Sequence, residues 1–229
     1  YEPKDVIITI GGFLFGPLAS LLISLVVSLV EMITLSDTGA SCSSDAVSIS
    51  GGTVTILDEG TYILTGTLTD GQIVVCAPDD AKTQLVLRGV SVHSTDSAAL
   101  YVKNADKVFV TLEGENTLSC GESFTAIDEN NIDGAVYAKS DLTFNGAGGL
   151  TVTSPGGHGI VGKDDVVFAG GSYHITCASH GVDANDSVRC VDAVFTVADA
   201  LRDLRERNKS TRIFDSGLGI SIFRDNSTR

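Results

Sequence analysis

Apolar and polar residues alternate along most of this chain in short runs, and in the second half the runs return about every two dozen residues. The alternation begins at Ser48-Ile-Ser-Gly-Gly-Thr-Val-Thr-Ile56 and continues through Gly60-Thr-Tyr-Ile-Leu-Thr-Gly-Thr-Leu68 and Gln72-Ile-Val-Val75. Further runs are Gln84-Leu-Val-Leu87, Val90-Ser-Val92, Leu100-Tyr-Val-Lys103 and Val108-Phe-Val-Thr-Leu112. Runs of this length bounded by Gly, Asp or Asn predict β-strands. Three copies then share one signature: Gly134-Ala-Val-Tyr-Ala-Lys-Ser-Asp141, Gly159-Ile-Val-Gly-Lys-Asp-Asp165 and Gly181-Val-Asp-Ala-Asn-Asp-Ser187.

Aligned, the copies put Val136, Ile160 and Val182 in one column and Ala138, Gly162 and Ala184 in another. Tyr137, Val161 and Asp183 fall between them, and Lys139, Lys163 and Asn185 follow. Side chains alternate faces along a strand, so the apolar and small columns are expected inside and the Lys/Asn column outside. A copied unit of this size stacks on its neighbours. The step predicts coils rather than hairpins, and the fold class read from the pattern is all-β, a right-handed parallel β-helix or solenoid.

Both ends break the pattern. Val6 to Val30 contains no charged residue, a length sufficient to cross the ~30 Å hydrocarbon core of a bilayer as a helix. Residues 1–40 are therefore expected to be an apolar, membrane-spanning helix, contacting membrane through 6–30. A buried capping helix is the alternative, and Gly39-Ala-Ser-Cys42 is a faint lipoprotein-type cleavage box. At the other end, Val197, Leu201 and Leu204 fall on one face of a helical spacing, so 199–229 is expected to be a short amphipathic helix and an irregular tail. The body is then 41–198. The start at Tyr1 reads as a fragment or a fusion.

Charge narrows the partners. The formal net charge is −14; from Asp199 onward seven Lys/Arg face five Asp/Glu, so the first 198 residues carry −16. An acidic body argues against nucleic acid, which is held by Lys and Arg on its phosphates. It also argues against a polyanion bound without a cation. The five cysteines are scattered without a Cys-x-x-Cys pair, which favours packing over zinc or redox chemistry. The pattern does not specify an oligomeric state.

Acidic residues gather at the turns beside the repeated strands. Stacking brings equivalent turns within ~5 Å of each other, and carboxylates that close repel unless a cation or proton intervenes. Ca²⁺ takes six to eight oxygens from such a set. The expected ligands are drawn from Asp133, Asp141, Asp164, Asp165, Asp183 and Asp186, with a turn-forming role as the alternative for each. Candidate ligand-binding residues are Tyr137, Lys139, Lys163, Asn185, His158 and His180. The lysines are equally read as partners of neighbouring carboxylates, and the two histidines as turn residues sharing one position.

Two stretches resemble known families. Pro3-Lys-Asp5, Gly11-Gly-Phe-Leu-Phe-Gly-Pro17 and the apolar run to Thr34 resemble, over 1–39, part of a riboflavin-type substrate-binding component of bacterial energy-coupling-factor vitamin transporters. That resemblance implies no transport, since the remaining spanning helices have no counterpart here. Thr69-Asp-Gly-Gln-Ile-Val-Val75, Ser97-Ala-Ala-Leu-Tyr-Val-Lys-Asn-Ala-Asp-Lys-Val108, His158-Gly-Ile-Val-Gly-Lys-Asp-Asp165 and His180-Gly-Val-Asp-Ala-Asn-Asp-Ser187 resemble a bacterial family of carbohydrate-binding β-helix proteins over about 44–189. The resemblance implies an extracellular, calcium-containing fold like that of pectate lyases, binding acidic or cellulosic plant polysaccharide. Cys190-Val-Asp-Ala-Val-Phe-Thr-Val-Ala198 departs from the family's further rungs, so the repeat is expected to stop there. The function expected is a non-catalytic, calcium-assisted carbohydrate-binding module at the bacterial cell surface. A polysaccharide lyase with a Lys base and a structural adhesion repeat remain as alternatives.

Overall fold

The computed structural model describes residues 30–198 and 202–206. The described residues open with β1 (Val30–Ser36), β2 (Gly39–Ser41), β3 (Val47–Ser50), β4 (Thr53–Ile56), β5 (Gly60–Leu68) and β6 (Gln72–Cys76). Next come β7 (Lys82–Ser94), β8 (Leu100–Asn104), β9 (Lys107–Glu113), β10 (Glu115–Cys120), β11 (Gly134–Ala138), β12 (Asp141–Gly146) and β13 (Gly149–Ser154). The last are β14 (His158–Gly162), β15 (Val166–Phe168), β16 (Ser172–Cys177), β17 (His180–Ala184), β18 (Val188–Cys190), β19 (Val194–Ala198) and β20 (Arg202–Glu206).

These strands form two sheets. The smaller has eight strands, ordered β20-β17-β14-β11-β8-β6-β4-β3. The larger has twelve and is organised around β7, thirteen residues long. The first half of β7 pairs with β9 and leads to β12, β15 and β18; its second half pairs with β10 and leads to β13, β16 and β19. Between the halves Gly89 adopts φ 65°, a left-handed conformation in which an L side chain is strained. Two arms therefore fan from one bent strand as a curled sheet.

This corrects the expected fold class. The described residues are all-β, but they form two sheets, the larger a curled parallel half-barrel, rather than a right-handed β-helix flanked by helices. Because β7 runs through both arms, two walls belong to one continuous sheet. The first described strands also depart from uniform parallel pairing: β1 pairs antiparallel with β2, and β3 with β4. The second of these is a hairpin across Gly51-Gly52, with Gly51 at φ 57°. No helix occurs among the described residues, and none there is long and apolar enough to cross a membrane.

Both flanking helices are corrected where the structure describes them. Val30–Ser36 is a strand paired in parallel with β5, burying Ile33 and Leu35 while Met32 points outward. The rest of the 6–30 span lies outside the described residues. At the other end, β19 pairs with β16 and β20 with β17, in parallel. Each sheet edge offers unpaired N–H and C=O groups, and pairing with them outweighs the weak stability of a short helix. The repeat therefore continues past Cys190.

The column reading survives in detail. Val136, Ile160 and Val182 pair in register, as do Ala138, Gly162 and Ala184, and all six are buried. Under the large sheet Phe144 stacks on Phe168 at 5.2 Å, and Tyr173 and Phe195 pack edge-on to Phe168.

Candidate functional site

The second arm of the large sheet presents a polar outer face. Its inward residues Val92, Leu118, Val152 and Ile175 are buried. Between them, ladder partners line up a row of side chains: Thr67, Ser91, Thr117, Thr151, His174 and Thr196. A second row holds His93, Ser119, Thr153 and Thr176. All ten are exposed or half-buried, and none is a carboxylate, lysine or arginine. Ladder neighbours stand ~4.8 Å apart. Each hydroxyl both donates and accepts, so the rows form a regular grid of two-way hydrogen-bonding groups. One contact within it is His93 Nδ1 to Ser119 Oγ at 2.9 Å. The sequence reading missed these residues, although the signal was present: a hydroxyl residue or histidine recurs at the outward positions of successive strands.

The small sheet differs. Its outward column, Tyr101, Tyr137 and Val161, is buried with Val74, Ala98 and Ile132 in a second apolar cluster. The segment joining β10 to β11 contributes Ile132 to that cluster, with Phe124 packed against it. Tyr137 is thus only 3% exposed and offers no stacking surface to a sugar. Lys163 lies over its ring at 5.0 Å, Lys139 is exposed and Asn185 half-buried. Beside this cluster the Tyr101 hydroxyl donates to Asp128 Oδ2 (2.8 Å), the Asn130 amide donates to the Tyr101 oxygen (2.9 Å), and Lys103 pairs with Asp128 at 3.3 Å. Desolvation pushes the Asp128 carboxyl up, but hydrogen bonds from the Asn130 backbone, Tyr101, the Asn130 amide and Lys103 outweigh it and hold the group at about 2.

At the start of β14 and β17 lie His158 and His180, with ring centroids 4.9 Å apart and planes 5° from parallel. Their Nδ1 atoms are 3.1 Å apart; the His180 backbone N–H donates to His158 Nδ1 at 3.3 Å, and Ser179 Oγ is 3.4 Å from His180 Nδ1. Asp183, 2% exposed, completes a group whose ligating atoms all lie within 4.8 Å of one another. Asp133 Oδ2 lies 4.0 Å from His158 Nε2, while its Oδ1 is buried without a hydrogen-bond partner. Residues three apart face opposite ways in a regular strand. His158 pairs with Gly134 and His180 with Arg202 at the first positions of β14 and β17, whereas the ladder between β14 and β17 starts at Ile160↔Val182. A Cβ at Gly159 would stand 2.6 Å from both the Gly181 oxygen and Ile175 Cγ2, so only glycine allows this approach.

The expected calcium set is divided by the fold. Asp133 and Asp183 belong to the histidine region. Asp165 accepts from Ser187 Oγ at 2.6 Å and pairs with Arg189, and Asp141 pairs with Lys107 at 2.9 Å. Burial, and then the charges of Asp141, Asp186 and Asp165, push the Asp164 carboxyl above its ordinary value. Four carboxylates therefore share one acidic corner, while the group of three or more ligating side chains within 4.8 Å among the described residues is His158, His180 and Asp183.

A relative from Acetivibrio thermocellus, described as a carbohydrate-binding domain-containing protein, is 34% identical over 135 residues, 57% of this chain and 47% of that protein. A 36-residue stretch, 16% of this chain, is 67% identical to the putative carbamoyltransferase YgeW of Escherichia coli K12, of which it covers 9%. The chain spans at most about half the length of these curated relatives. A solved structure, the polysaccharide lyase-like protein from C. thermocellum as a gadolinium derivative, superposes with a TM-score of 0.75 at 28% identity, covering 79% of this chain and 75% of that one. The transporter-like resemblance of the first residues finds no counterpart in these matches. A family model matches residues 50–214, running past the strand that had been expected to end the repeat, and the chain belongs to that family of carbohydrate-binding domain-containing proteins.

Proposed function

We propose that the chain is a non-catalytic module that holds a plant-type polysaccharide against the hydroxyl grid of β7, β10, β13 and β16. The observation carrying this reading is the pair of rows of hydroxyl residues and histidines, Ser91/Thr117/Thr151/His174 and His93/Ser119/Thr153/Thr176, on one face. A sugar chain is dense in groups that donate and accept, and a fixed grid of the same kind satisfies them without burying charge. The family match supports carbohydrate as the ligand class. A neutral cellulosic chain suits the grid directly, whereas an acidic pectin-like chain meets a body of negative charge and needs a cation.

Calcium is proposed to bind at the acidic corner. The donors fit in kind: Asp141, Asp164 and Asp186 supply only oxygens, and burial, followed by the charges of Asp141, Asp186 and Asp165, raises the Asp164 carboxyl. The similar solved protein is described as a gadolinium derivative, another hard cation. A bound Ca²⁺ supplies positive charge able to meet a sugar carboxylate. Lys107 balances Asp141 and Arg189 balances Asp165, and those pairs keep the turn backbones in register.

The lyase reading is weaker, because Lys103 is ion-paired with Asp128 and Lys163 lies over the Tyr137 ring. The test is retention of the protein on insoluble cellulose and on pectin gel, with Ca²⁺ or chelator, while following ultraviolet absorbance for unsaturated products. The reading expects retention without new absorbance, and calcium dependence confined to pectin. Product absorbance, or no retention on either matrix, overturns it.

A further inference from the structure

We propose that His158, His180 and Asp183 form a binding site for a borderline transition-metal ion of the zinc class, separate from both the hydroxyl grid and the acidic corner. Three observations converge. First, the donors are of the right kind: two imidazoles and one carboxylate suit zinc and its neighbours, whereas Ca²⁺ prefers oxygen alone. Second, the spacing fits. Ligands about 2.0–2.1 Å from a tetrahedral ion stand about 3.3 Å from one another, and the two Nδ1 atoms are 3.1 Å apart. The ligating atoms of all three residues lie within 4.8 Å of one another, and reaching that spacing requires the side chains to rotate.

Third, a supporting shell is in place. A histidine that binds zinc typically offers its other ring nitrogen to a carboxylate, which orients the ring. Asp133 Oδ2 stands 4.0 Å from His158 Nε2, on the nitrogen that does not face His180, and the other oxygen of that carboxylate is buried without a hydrogen-bond partner. Coordination through both Nδ1 atoms requires each neutral ring to carry its proton on Nε2, so a proton on either Nδ1 moves to Nε2, and only a doubly protonated ring gives one up to solvent. Three protein ligands leave one coordination position for water or for an oxygen of a bound molecule. Because His158 and His180 open successive strands, the ion would tie β14 to β17.

The test uses the full chain, stripped with chelator and titrated with Co²⁺. The site predicts visible cobalt bands of tetrahedral intensity that one equivalent of Zn²⁺ bleaches and excess Ca²⁺ leaves unchanged. Zn²⁺ at a hundredfold excess over Kd should raise Tm by about 5–10 °C. His158→Gln should abolish the bands. Asp133→Asn, acting through His158, should weaken Co²⁺ affinity about 10–100-fold with the bands retained. Asp164→Asn should change neither. If His158→Gln fails to fold, the wild-type spectrum and the Asp133→Asn titration decide. The proposal is overturned by an absence of cobalt bands in the wild type. It is also overturned by bands that survive in folded His158→Gln, or by a strong near-ultraviolet thiolate band placing the metal on a cysteine.

Discussion

The two outer faces of this molecule begin from the same local pattern and end differently. On the small sheet the outward column Tyr101, Tyr137, Val161 is covered and forms a second core. On the second arm of the large sheet the outward rows remain threonine, serine and histidine, open to solvent. A parallel sheet buried on both faces reads as a continuous apolar run, and Gly134–Ala138 is buried at every position. A sheet with one solvated face keeps strict alternation, as in β10 and β16. The difference teaches that an outward position can be recruited for stability or left for a ligand. The signal separating the two is whether the intervening residues are large and apolar or small and hydroxylated.

That contrast can be broken most forcefully at Tyr137. Truncating Tyr137→Ala removes a ring packed edge-on to Tyr101 at 5.8 Å in a site 3% exposed, and should cost about 3–5 kcal/mol of unfolding free energy in a denaturant melt. Thr151→Val on the open face should stay within about 0.5 kcal/mol. Equal losses at both positions would dissolve the distinction.

A smaller effect tests the polar rim of the covered face. Tyr101→Phe deletes the hydroxyl that donates to Asp128 and accepts from Asn130, and should cost about 1–2 kcal/mol. Asp128 adds a pH signature. Its carboxyl is held down at about 2, so the stability it contributes is fully present above the ordinary Asp value of about 4 and is lost as pH falls through about 2. In Asp128→Asn that part of the acid dependence should flatten between about pH 4 and pH 2. A melt profile parallel to wild type across that window contradicts the assignment.

Much of the small sheet was legible from sequence because Val136, Ile160 and Val182 sit at equivalent places in copied segments, and equivalent places in stacked units pair. What failed was knowledge of the second layer. Strict alternation put Tyr137 on the face opposite the buried columns and took no account of the segment before β11, which brings Ile132 onto it. Likewise the helical spacing of Val197, Leu201 and Leu204 described a segment by itself, whereas two waiting sheet edges decided its state. The Gly51-Gly52 hairpin was legible but read through as one run. For the site, charged and aromatic residues drew attention because single residues of that kind carry chemistry. The hydroxyl grid gains meaning only when the ladder sets Thr117, Thr151 and His174 side by side.

The central claim is that the open face of β10, β13 and β16 holds the polysaccharide. It is tested most directly by affinity electrophoresis in soluble cellulosic polysaccharide, comparing wild type with the triple variant Thr117→Val/Thr151→Val/Thr153→Val. Removing three grid hydroxyls without changing side-chain shape should weaken retardation at least about tenfold, given about 0.5–1.5 kcal/mol per hydrogen bond, with Tm unchanged. Wild-type retardation in the folded triple variant would contradict the account and move the ligand to another face.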